Sequence, residues 1–129
     1  MAERFATTRI DQTSEIAAPD GSAVRPLCVL SGVASFAQFE LAPAQIAKAV
    51  SHATVEEIWF VTSGAGEMWR SQDGREEVTA LEPGVSLTIP LGTTFQFRAG
   101  DQGLRVVAVT VPSWPVDSPD EARFETGRW

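Results

Sequence analysis

The sequence predicts an all-β domain, and three observations carry that prediction. From Ala23 to Pro112 the chain is a series of short runs rich in β-branched and aromatic residues: VRPLCVL, GVASFAQFEL, EEIWFVTSG, GEMWRS, EEVTALE, VSLTIP, TFQFRAG and LRVVAVTVP. Glycine, proline or Asp-Gly punctuates the junctions, as turns between strands require. No stretch carries a capped helical repeat. The nearest to one, AQIAKAVSHA at 44–53, is brief and uncapped, so tertiary context decides whether it is loop or strand.

Taken in order, residues 1–22 are polar and end in the turn signal Pro19-Asp20-Gly21, which predicts an arm or edge strand rather than a core element. The strand runs fill 23–112. Gly64-Ala65-Gly66 lacks the Lys-Ser/Thr of a phosphate loop and reads as a strand-joining turn. Asp73-Gly74 stands between two runs and supplies the positive φ values of a tight hairpin. Residues 113–129, SWPVDSPDEARFETGRW, predict an irregular strap anchored by Trp114 and Trp129. These three segments make one domain, because 129 residues suffice to bury a core without staples. So many short strands fit a sandwich or a double-sheet jelly roll, and no Cys-Trp-Cys pattern points to an immunoglobulin fold.

A net charge of -7 argues against nucleic acid and against an anionic membrane surface, both of which select a basic face. The apolar runs fall short of a bilayer span, and the N-terminus lacks the apolar core of a signal peptide, so a soluble cytoplasmic protein is expected. The lone Cys28 forbids an intrachain disulfide and is expected to be a small buried apolar residue. His52 is the single histidine.

Residues 44–99 resemble the two motifs of the cupin superfamily. The first motif runs Gly, five residues, His-x-His, three or four residues, Glu, six residues, Gly; with His52 as the second histidine, Glu57 and Gly64 fall on register. The second runs Gly, five residues, Pro-x-Gly, two residues, His, three residues, Asn; Gly84, Pro90 and Gly92 match it. Ala44, Val50, Phe95 and Ala99 stand where the family has glycine, histidine, histidine and asparagine. The resemblance implies a cupin-type double-stranded β-helix, a jelly-roll barrel, and a homodimer built by sheet-to-sheet contact. Of the family's four metal ligands only His52 and Glu57 remain. Catalytic zinc takes three protein ligands and the iron facial triad needs two histidines with a carboxylate, so the expectation is no metal and no cofactor. If an ion did bind, His52 and Glu57 would hold it, with Glu56, Gln96, Cys28 or a neighbouring subunit as makeshift ligands.

Strand alternation puts Glu57, Trp59 and Val61 on one face of their run, and Phe95 with Phe97 on one face of another. With the barrel the resemblance implies, these faces point inward, and the substrate-binding wall comprises Val50, Trp59, Val61, Phe95 and Phe97. Such an interior suits a small organic ligand. His52 and Glu57 are the expected catalytic acid and base of an isomerase, epimerase, cyclase or lyase. Two further readings stand beside this one: a binding or sensing module without chemistry, and a metalloenzyme with unusual ligands.

Overall fold

The computed structural model describes residues 3–129. Its strands are β1 (Ile16–Ala17), β2 (Ala23–Leu30), β3 (Ala34–Leu41), β4 (Val50–His52), β5 (Glu56–Gln72), β6 (Arg75–Leu81), β7 (Ser86–Ile89), β8 (Thr94–Val111) and β9 (Ala122–Phe124). A single 3-10 turn, Ile10–Gln12, precedes them. Residues 44–53 contain no helix; Ile46 bridges to Arg98 and the rest leads into β4.

The strands form one continuous antiparallel sheet that folds into two layers, because β5 and β8 run through both. One layer is β1-β2-β3, the C-terminal half of β8, the N-terminal half of β5, then β7. The other is β9-β4, the N-terminal half of β8, the C-terminal half of β5, then β6. This is a double-sheet jelly roll, as the sequence predicts. The hairpin turn at Asp73-Gly74 is present, with φ of 49° and 80°.

Gly64-Ala65-Gly66 does not join two strands. It bends one continuous strand, and the register of β5 against β8 shifts between Val61 and Ser63 and again between Gly64 and Gly66. The reason is close approach: a Cβ on Gly64 would lie 2.2 Å from the Gly103 carbonyl oxygen, and one on Gly66 would lie 2.1 Å from that of Arg98. Only glycine lets the two long strands cross there. The motif glycines have a backbone cause as well. Gly64, Gly84 and Gly92 have φ of 80°, 96° and 82°, and Ala44, at the remaining glycine position, is also left-handed at 62°.

The core lies between the layers. Leu41, Val61, Met68, Leu81, Phe97 and Val106 are buried there. The C-terminal segment is more than an irregular strap, since it contributes β9 to the second layer. Both of its predicted anchors hold: the Trp114 N–H donates to Ser35 Oγ at 2.9 Å, and the Trp129 ring lies 4.1 Å beneath the Arg98 guanidinium. Cys28 is exposed, in contrast to its expected burial, because it lies in the irregular stretch of β2 between Pro26 and Val29, beyond the residues paired with β1, with its thiol toward the Ala6 carbonyl of the N-terminal arm. Among the described residues no helix is long and apolar enough to cross a membrane.

Candidate functional site

A cavity of about 270 Å³ opens at one end of the barrel. Cross-strand register explains its position. Trp59 on β5 pairs with Ala108 on β8, which in turn pairs with Ala37 on β3. Two small side chains in the row of a large one leave free volume beside the indole. Trp59 stacks on Phe39 (centroids 5.7 Å apart, planes 8° apart) and meets Phe95 and Phe97 edge-on at 6.2 and 4.9 Å.

Glu57 lies two residues before Trp59 on the same face, buried to 4% exposure. Register places Thr110 directly opposite, and its Oγ1 donates to Glu57 Oε2 at 3.3 Å. His52 comes from β4, which the second layer supplies; its Nδ1 is 3.6 Å from Glu57 Oε1 and has no hydrogen-bond partner. The imidazole is held edge-on between Phe95 at 5.3 Å and Trp114 at 5.2 Å. Val50 and Phe95, at the two replaced histidine positions, face each other across β4 and β8. Hydrocarbon therefore fills the space that nitrogen ligands would need.

The electrostatics follow from burial. Desolvation pushes the Glu57 carboxyl up to about 7; the Trp59 indole N–H and the Thr110 hydroxyl pull it down, whereas the Asp20 charge pushes it further up. The indole N–H acts from a distance, since it completes no hydrogen bond of its own. Desolvation also lowers His52 to about 4, only partly offset by the charge of Glu121. Burial alone would raise Glu121. Hydrogen bonds from the Thr54 N–H and hydroxyl and from the Val55 N–H outweigh it, and with His52 they bring that carboxyl below its ordinary value.

Of the residues predicted for the site, the fold brings His52, Glu57, Val50, Trp59 and Phe95 onto the cavity wall. Val61 and Phe97 are not on it. They face inward as alternation requires, yet each is only 1% exposed and packed into the closed core, where the barrel is filled. The makeshift ligands point elsewhere. Glu56 accepts from the Leu91 N–H at 3.1 Å, and Gln96 is bound to Ala47 and Trp129 on the outer side of its layer. Among the described residues no three His, Cys, Asp or Glu side chains lie close enough to hold a metal ion. The donor set does not fit the metal centre that the resemblance brings to mind.

Two contributors escaped sequence reasoning. Asp20 arrives on the N-terminal arm, Trp114 on the C-terminal segment, and both line the cavity. The turn signal at Pro19-Asp20-Gly21 marked a bend without saying where it would dock. Ser22 holds Asp20 in place, its N–H and hydroxyl donating to Oδ1 at 2.9 and 2.7 Å, and desolvation raises this carboxyl despite those bonds.

No family model and no curated protein sequence matches this chain. Solved structures do. Oxalate decarboxylase from Bacillus subtilis superposes with TM-score 0.74 at 16% identity over 95% of this chain and 33% of its own. KdgF from Halomonas sp. gives 0.71 at 15% identity, covering 84% of this chain and 94% of that one. A Streptomyces PAC13 variant with uridine gives 0.73 at 12% identity, covering 96% and 92%. The chain thus spans about a third of oxalate decarboxylase and nearly the whole of the two smaller proteins. At these identities the likeness shows the fold, which is the cupin jelly roll.

Proposed function

We propose that this cupin-fold barrel binds a small organic molecule in its cavity and moves a proton on it, with Glu57 as the acid–base group and His52 as its partner. One observation carries the reading. A buried carboxyl poised near neutrality lies 3.6 Å from a buried, neutral imidazole on the wall of an otherwise apolar hollow. Glu57 is the group that gives and takes the proton, because its pKa matches the ambient pH. His52, neutral at that pH and with no other partner for Nδ1, would orient the Glu57 carboxyl rather than take its proton. Trp59, Val50 and Phe95 would hold the ligand's apolar part. Isomerisation, epimerisation, cyclisation and elimination are the reaction classes such a pair serves without a redox cofactor.

A specific observation also favours a second reading, a binding or sensing module without chemistry. At 3.6 Å the pair is beyond hydrogen-bonding distance, whereas the aromatic wall is complete. One experiment separates the two. A mixed library of small organic molecules is screened by ligand-observed NMR, and each binder is then followed in deuterated water. Proton exchange or rearrangement of a binder, lost in both Glu57→Gln and His52→Ala, is the expected result. Binding without any change in the ligand would favour the module, and the absence of every binder would end both readings.

Two further features of the reading are proposals of the same kind. The outer face of the first layer exposes Ile58, Phe60 and Val111 on neighbouring strands, an apolar surface that a homodimer would bury. The exposed, unpaired Cys28 suits a reducing compartment such as the cytoplasm.

A further inference from the structure

The cavity wall lacks positive charge. Its ionisable side chains are Asp20, Glu57 and His52; among the described residues no lysine or arginine reaches it. The two carboxyls come from separate parts of the chain, Asp20 from the arm before β2 and Glu57 from β5. Neither is paired with a lysine or arginine: Asp20 is held by the Ser22 N–H and hydroxyl, and Glu57 accepts from the Thr110 hydroxyl. Charges withdrawn from water are normally paired. Here the protein provides two acids and no cation to pair them.

Two further observations mark the place as a ligand site. His52 Nδ1 and Trp59 Nε1, on residues 9% and 2% exposed that belong to the cavity wall, are buried without hydrogen-bond partners. Five aromatic rings, Phe36, Phe39, Trp59, Phe95 and Trp114, stand in the wall among aliphatic side chains. An aromatic face attracts cations through its quadrupole, most strongly where water is excluded. Apolar walls, unpaired acids and absent bases together describe one class of guest.

We infer that the ligand is a small organic cation, an amine or ammonium on a flat apolar body, its charge shared by Asp20 and Glu57 and its body set among the rings. The inference rests on the cavity being a ligand site, and it names the class of molecule that site takes. A carboxylate or phosphate would meet two acids and no base, so organic anions are the excluded class.

Three near-isosteric probes test this: phenethylammonium, phenylpropionate and phenylethanol, titrated by calorimetry and by quenching of tryptophan fluorescence. The ammonium is expected to bind at least about tenfold more tightly than the other two. Asp20→Asn should weaken it about tenfold while leaving the alcohol unchanged. Should Asp20→Asn fold poorly, Glu57→Gln is expected to show the same selective loss. Equal affinity for all three probes would overturn the inference and leave the organic-ligand reading standing. Preference for the anion, or an ammonium affinity indifferent to both substitutions, would overturn it too. So would failure of all three to bind at millimolar concentration; the library screen above then decides separately whether the cavity takes organic molecules at all.

Discussion

His52 Nδ1 and Glu57 Oε1 are 3.6 Å apart on a wall that water scarcely reaches. Burial moves them in opposite senses, the base down to about 4 and the acid up to about 7. Near neutral pH the imidazole is therefore uncharged and the carboxyl is close to half protonated. A fold maintains such a pair only at a cost in stability, and that cost is measurable.

Glu57 should make stability depend on pH. Its folded pKa lies above the ordinary glutamate value, so its contribution is intact below about 4.5 and is lost as pH rises through about 7. Glu57→Gln removes that loss. Relative to the native chain the variant should gain on the order of 3 kcal/mol between about pH 4 and about pH 8, measured by denaturant unfolding at both. A difference independent of pH would mean that Glu57 is hydrated.

His52 shows the opposite sign, with stability intact above 6.5 and lost as pH falls through about 4. Because it is the only histidine, a single pair of imidazole NMR signals reports it. Trp114→Ala should admit water to the ring and raise its pKa from about 4 toward 6.5. An unmoved titration would show that Trp114 does not shield it.

Substitutions at two motif positions should act in opposite directions. Gly64→Ala places a Cβ 2.2 Å from the Gly103 oxygen and should cost more than about 3 kcal/mol, or prevent folding. Ala44→Gly relieves a left-handed alanine and should stabilise by about 1 kcal/mol, read as a raised Tm.

The proposed homodimer predicts a sedimenting mass about twice the 13.9 kDa of one chain. Phe60→Lys, placed on the exposed face of β5, should leave a folded monomer. If the native chain already sediments as a monomer, the proposal fails.

Alternation and punctuation in the sequence determined the all-β class, the hairpin at Asp73-Gly74, and the face shared by Glu57 and Trp59, since these depend on a period of two and on local φ preferences. The spacing of Gly64, Gly84, Pro90 and Gly92 pointed to the barrel only through the resemblance to the two cupin motifs, and the structure gives those glycines a left-handed backbone that other residues resist. What lay beyond reach was long-range. That β5 and β8 are each unbroken through both layers depends on where two strands far apart in the chain, Glu56–Gln72 and Thr94–Val111, cross. That Val61 and Phe97 belong to the filled core, while Phe95 reaches the hollow, depends on depth along the barrel, which alternation does not encode. Asp20 and Trp114 enter the site only because both chain ends fold over one mouth. Local pattern fixes which side of a strand a residue faces; tertiary packing alone decides what it meets there.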